Sequence, residues 1–239
     1  MTLFLTFLFV TLAAAGIFAL RPITAKIKTV FNQNSVVDFQ IKFQSLQLGL
    51  AVIFLAVIYF LNPENFARFF RMGNINAHIS KIAWLGVTGN ETWLEIATSI
   101  GLFITLGTAI FMFFQLKKAN IQISEFFKNS EILGWAILFS AANAFSEEAI
   151  FRIGIISPLY GVFSVAIIVL ISGVVFGLPH YFGMPSGIIG AMMAGFLGWL
   201  LAMSLVETQG IFLAWAIHFV QDVVIITSMI LMSRKKSTE

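Results

Sequence analysis

The chain contains no cysteine, which excludes disulfides and thiolate chemistry. It has only three histidines, so imidazole chemistry is confined to His78, His180 and His218. Charge is scarce as well: Asp, Glu, Lys and Arg make up 10% of the 239 residues. Soluble domains carry about 25%. A chain this poor in charge and 59% hydrophobic could not hide its apolar surface in a soluble fold, so it is a polytopic membrane protein. Its apolar runs are continuous and lack the alternation of barrel strands, which makes the spans helical. The net charge of +3 comes from loops and the C-terminal tail, follows the positive-inside rule, and gives no ground for nucleic-acid binding.

Seven apolar runs follow one another: 3–20, 46–61, 96–115, 132–152, 155–178, 186–206 and 211–232. The expected fold is therefore all-α, a polytopic transmembrane helix bundle of about 7–8 spans forming a single membrane domain over 1–239. The first run lacks the basic leader of a signal peptide and reads as a retained span ended by Pro22. Residues 29–44 read as a polar connector. Asn62-Pro63 stops the second run. Residues 64–95 read as an interfacial loop with short amphipathic pieces, exposing Phe66, Phe69, Phe70, Trp84 and Trp93 at headgroup level, with His78 a solvated loop histidine. Residues 122–131 form another amphipathic connector. On the sixth run Gly187, Gly190, Ala191, Ala194, Gly195 and Gly198 make a close-packing face.

The basic clusters Arg21/Lys26/Lys28, Lys117-Lys118 and Arg234-Lys235-Lys236 all favour the cytoplasm. Seven spans with the N-terminus outside and the C-terminus cytoplasmic satisfy all three; the plasma membrane is the expected location. This count places Glu147 near the outer end of the fourth run and His180 near the inner end of the fifth. The two can share a site only if both lie well inside the bilayer or one helix is re-entrant.

Between Ala141 and Met232 the only charged side chains are Glu147, Glu148, Arg152, Glu207 and Asp222, joined by His180 and His218. Ionisable groups in apolar helices are expensive, so they are paired, face the bundle interior and mark function. At about 100° per residue, Glu148 and Arg152 share a helix face and form an ion pair, while Glu147 points away from them on the face of Asn143. This makes Glu147 the carboxylate free for chemistry and Glu148 the structural one. In Phe176-Gly177-Leu178-Pro179-His180 the proline bends or ends the helix and exposes the imidazole. His218 and Asp222 lie four apart on one face, where the carboxylate is expected to fix the imidazole tautomer, as suits a metal ligand or a general base. Two glutamates, an arginine, two histidines and an aspartate on three apolar helices are the groups needed to activate water and stabilise an oxyanion.

The ordered set Glu147-Glu148-x-x-x-Arg152, Phe176-x-x-x-His180 and His218-x-x-x-Asp222 resembles the CPBP family, the CAAX proteases and bacteriocin-processing enzymes also called the Abi family. The resemblance covers about 132–232. It implies an all-helical intramembrane endopeptidase that hydrolyses a peptide bond of a membrane-associated or prenylated, CAAX-type peptide or protein. It further implies that Glu147 activates the attacking water, that His180 and His218 bind a metal or the oxyanion, and that Asp222 orients or assists. Asn143, Phe176, Glu148 and Arg152 support the site. Zn²⁺ held by Glu147, His180 and His218 and a metal-free, glutamate-activated water both fit the resemblance; no organic cofactor is implied. Two readings from other classes compete. The same polar residues suit a proton relay in a transporter or channel, against which stands the lack of an inverted repeat. The fold also suits a catalytically silent immunity or scaffold protein, against which stands the complete motif set.

Overall fold

The computed structural model describes residues 3–121, 124, 130–183 and 185–236. It is all-helical, with no strand among the described residues. The order is α1 (Leu3–Lys26), α2 (Ser35–Leu61), α3 (Pro63–Phe69), α4 (Trp93–Lys118), α5 (Ser130–Glu148), a π turn (Ala149–Ile153), α6 (Gly154–Leu159), α7 (Val165–Gly177) with a 3₁₀ extension (Leu178–Phe182), α8 (Ile188–Thr208) and α9 (Phe212–Lys236). Among the described residues, five segments are long and apolar enough to cross a membrane: α2, α4, α7 with its extension, α8 and α9. The fourth run is not among them, because α5 carries the polar residues of the site. The expected 122–131 connector lies mostly outside the described residues.

Several sequence expectations change. Pro22 does not end α1, which runs on to Lys26 with the proline inside it. Residues 35–44 are not a connector but the first turns of α2, started by Asn34, whose side chain accepts from the amides of Val36 and Val37. Polar side chains at helical spacing turn inward, so Gln40 and Gln44, with Gln47 one turn further on, are buried. Asn62 ends α2 as expected and also caps α3, accepting from the amide of Asn65. In the 64–95 loop Trp84 is exposed as expected, but Phe69 and Trp93 are fully buried. Trp93 donates its indole N–H to Glu207 at 2.8 Å, and the amide of Ser80 donates to the same carboxylate at 3.0 Å. Glu207 thus ties the loop to the end of α8 and is no part of the site. His78 is an exposed loop residue against the carbonyl of Asn90, as expected.

The fifth run is not one span. Residues 154–159 continue α5 through the π turn, and the chain reverses at Tyr160–Ser164 before α7 begins. Pro158 supplies no amide for continuing the helix, and Gly161 takes φ +83°, a left-handed conformation that costs glycine little. The backbone groups this leaves are satisfied. Asn62 and Asn65 donate to the carbonyl of Ser157 at 3.0 and 2.9 Å, and Ser172 donates to the carbonyl of Phe151 in the π turn at 2.8 Å. Glu147 consequently sits well inside a long helical segment, 130–159, rather than near its end, where it meets His218 beside the Phe176–His180 turn.

The small-residue face of α8 packs on α7. A Cβ on Gly177 would come within 2.5 Å of the Ala191 carbonyl oxygen, and one on Gly198 within 2.8 Å of the Phe176 ring. These two close approaches seat Phe176 and the 3₁₀ turn carrying His180 against the site.

Candidate active site

Three elements bring the polar residues together. The π turn follows Glu148 directly. Such single-turn bulges are frequent at functional sites. Glu148 and Arg152 are both fully buried, with the guanidinium Nε 2.9 Å from Glu148 Oε2. The approach is close but off the line of a well-aligned hydrogen bond, and Arg152 has no hydrogen-bonded side-chain nitrogen. It is held by charge and by the ring of Phe176, whose centroid lies 4.3 Å from the guanidinium carbon. The expected Glu148–Arg152 pair is therefore present, as an ion pair over an aromatic face.

Glu148 does more than hold Arg152. Its Oε1 lies 2.8 Å from His218 Nδ1. An ionised carboxylate only accepts, so Nδ1 holds a proton and Nε2 is the nitrogen left for chemistry. This corrects the expectation that Asp222 orients His218. Asp222 Oδ2 stands 3.7 Å from His218 Nε2, beyond hydrogen-bond reach, and instead accepts from the Asn143 amide at 2.9 Å. The i, i+4 spacing put His218 and Asp222 on one face correctly; the shorter partner came from another helix.

Glu147 takes the orientation read from the helix geometry, away from Arg152. Its Oε2 lies 3.6 Å from His218 Nε2. Nε2 is thus flanked by two carboxylate oxygens at 3.6 and 3.7 Å, both too long for direct hydrogen bonds and suited to a bridging water. Glu147 Oε2 is buried without a hydrogen-bond partner from the protein, which leaves it open to accept from such a water.

His180 lies one ring away. Its Nδ1 donates to the carbonyl of Phe176 at 2.8 Å, leaving Nε2 free. The Phe176 ring touches both imidazoles, with centroid separations of 4.7 Å to His180 and 5.5 Å to His218. Phe176 therefore spaces the two histidines and covers Arg152 at once. Among the described residues, no group of three His, Asp or Glu side chains is placed to hold an ion. His180 and His218 each keep Nε2 free and stand on either side of the Phe176 ring.

Two contacts were not read from the sequence. Gln44 of α2 donates to Asn143 Oδ1 at 3.1 Å, and Gln47 donates to Glu147 Oε1 at 3.4 Å. Their spacing, Gln40, Gln44 and Gln47 on one helical face, was the available signal.

Residues 129–224 match the family model described as type II CAAX prenyl endopeptidase Rce1-like. The match bears out the resemblance drawn from the three motifs, and every motif residue from Asn143 to Asp222 lies within it. No curated protein and no solved structure matches the chain. The family is one of proteases, and with several apolar helices the chain is an integral membrane protein.

Proposed function

We propose, from the premise that residues 129–224 are similar to the type II CAAX prenyl endopeptidases, that this chain hydrolyses a peptide bond near the end of a lipid-anchored or membrane-held peptide. The observation that supports this most is the buried, unpartnered Oε2 of Glu147 facing His218 Nε2 across 3.6 Å. A water bonded to both atoms gives its proton to Glu147 as its oxygen attacks the scissile carbonyl. One C–O bond forms, the C–N bond breaks, and the proton passes to the leaving amine. General base catalysis of this kind contributes about 10²–10⁴-fold. His218 is aimed by Glu148. His180, with Nδ1 occupied and Nε2 free, faces the substrate carbonyl and in its protonated form donates to the developing oxyanion. Asn143 holds Asp222 beside the water. Every step of the scheme is carried by Glu147, the two histidines and Asp222.

The reading carries with it an orientation, the C-terminus cytoplasmic, where a lipidated cytosolic tail would be met. The test is cleavage in liposomes of a prenylated peptide ending in Cys-aliphatic-aliphatic-X, its unprenylated counterpart, and an unrelated transmembrane peptide. Cleavage of the prenylated peptide that is abolished by Glu147→Gln supports the proposal. No cleavage of any of the three by folded protein sinks it.

A further inference from the structure

Helix α2 lies outside the segment matched to the protease family, yet it reaches the centre of the site. Gln40, Gln44 and Gln47 are 8%, 6% and 1% exposed. Their spacing puts them in one stripe. A buried primary amide is costly unless bonded, so three in one apolar bundle need a reason beyond packing.

The amide directions are fixed by the carboxylates they end on. Asp222 Oδ2 accepts, so Asn143 must present its nitrogen there, at 2.9 Å, and its oxygen toward α2. That oxygen accepts from Gln44 Nε2 at 3.1 Å, and the same nitrogen lies 3.2 Å from Gln40 Oε1. The donors therefore run one way, from α2 through Asn143 to Asp222. Separately, Gln47 Nε2 donates to Glu147 Oε1 at 3.4 Å. Each of the two carboxylates flanking His218 Nε2 is thus held, directly or through Asn143, by a glutamine of α2. The oxygens of Gln44 and Gln47 are themselves buried without partners, as is Glu147 Oε2. These buried acceptors, one on Glu147 and two on the glutamines behind the site, call for donors that the protein does not supply, and water is the donor at hand.

We propose that Gln47 is a positioning residue for the reaction: it holds Oε1 of Glu147 and so turns Oε2 toward the attacking water, while Gln44 does the same for Asp222 through Asn143. This rests on the reading of Glu147 as the carboxylate that activates water. It assigns α2, which the family match does not cover, to the working part of the molecule. The orphaned oxygen of Gln47 holds ordered water beside Glu147 and that of Gln44 holds it beside Asn143, which keeps the site wet inside an apolar bundle.

The experiment uses Gln47→Met, which removes the amide at nearly constant volume, and Gln47→Asn, which keeps the amide one methylene short. Both are assayed in liposomes on the prenylated peptide. Positioning predicts that Gln47→Met lowers kcat on the order of 10–100-fold with KM within about twofold, the scale seen when a group that orients a reactive residue is lost. Gln47→Asn, able to act through one intervening water, falls between Met and wild type. A purely structural role predicts a lowered melting temperature with kcat per folded molecule unchanged, and that result overturns the proposal. A second measurement does not need turnover. The carboxylate stretching band of Glu147, isolated as the infrared difference between wild type and Glu147→Gln, should shift when the same difference is taken on the Gln47→Met background. An unshifted band overturns the hold of Gln47 on Glu147. If the wild type cleaves no peptide, the hydrolase reading fails, and the infrared band still decides whether Gln47 holds Glu147.

Discussion

Replacing Glu148 by glutamine removes one charge and almost no volume, and it separates the two jobs this side chain does. Glu148 and Arg152 are both fully shielded from solvent, with 2.9 Å between Oε2 and Nε. Neutralising the glutamate leaves a buried guanidinium supported only by the face of Phe176 at 4.3 Å and by the more distant charge of Glu147. A cation over an aromatic ring is worth about 0.5–2 kcal/mol, whereas breaking a buried pair from one side costs about 3–5 kcal/mol. The ring cannot make up the difference, so Glu148→Gln should lose on the order of 2–4 kcal/mol of stability. Arg152→Met should lose a similar amount, because it strands the glutamate. The double variant should recover much of the loss, since no uncompensated charge remains, giving a coupling of about 2–3 kcal/mol. The glutamine that replaces Glu148 can still accept from His218 Nδ1, so the double variant should also keep the imidazole aimed and retain measurable turnover. The assay is reversible unfolding in mild detergent or bicelles, followed by far-ultraviolet circular dichroism, for the four proteins of the cycle. Additive losses in the double variant, or single variants as stable as wild type, would refute the reasoning.

Three further outcomes follow from the geometry. Asp222→Asn can still accept through its amide oxygen and should keep part of the activity, whereas Asp222→Leu leaves the Asn143 amide without its acceptor and should lose on the order of 10–100-fold in kcat at matched folded concentration. Gly177→Ala places a methyl group within 2.5 Å of the Ala191 carbonyl oxygen. It should push α7 off α8, lower stability by about 1–3 kcal/mol, and reduce turnover through the displaced His180, as read by melting temperature and peptide cleavage. His180→Ala should lower kcat while leaving the melting temperature within a few degrees, since its one hydrogen bond goes to its own helix at Phe176.

The parts legible in the sequence were those that break a rule of apolar helices. Glu147, Glu148, Arg152, His218 and Asp222 stand out because a charge in such a helix needs a partner, and the face geometry separated Glu147 from Glu148 correctly. The small-residue face of α8 was legible for the same kind of reason: nothing else lets two backbones approach so closely. Other features left weaker traces. The π turn at Ala149–Ile153 is a change of hydrogen-bond register with no composition of its own. The reversal at Tyr160–Ser164 hides in an apolar run, signalled only by Pro158 and Gly161. The partner of His218 was misread because helical spacing reports neighbours on one helix, while Glu148 approaches from another. Gln40 and Gln44 were passed over because neutral amides near Asp38 and Lys42 resemble a solvated connector, and Gln47 because it opens an apolar run. Their burial depends on the bundle that forms around them.

In the proposed reaction Glu147 activates a water for attack on a peptide bond inside the membrane. The most direct measurement is the single-turnover rate of Glu147→Gln against wild type in liposomes, with the prenylated peptide bound to saturation and the folded fraction matched. Glutamine keeps the shape and the contact with Gln47 but cannot take a proton. The account predicts that the peptide binds Glu147→Gln as it binds wild type and that its hydrolysis falls by at least about 10²-fold, the lower end of what a general base supplies. A Glu147→Gln protein that cleaves the peptide at the wild-type rate would contradict it.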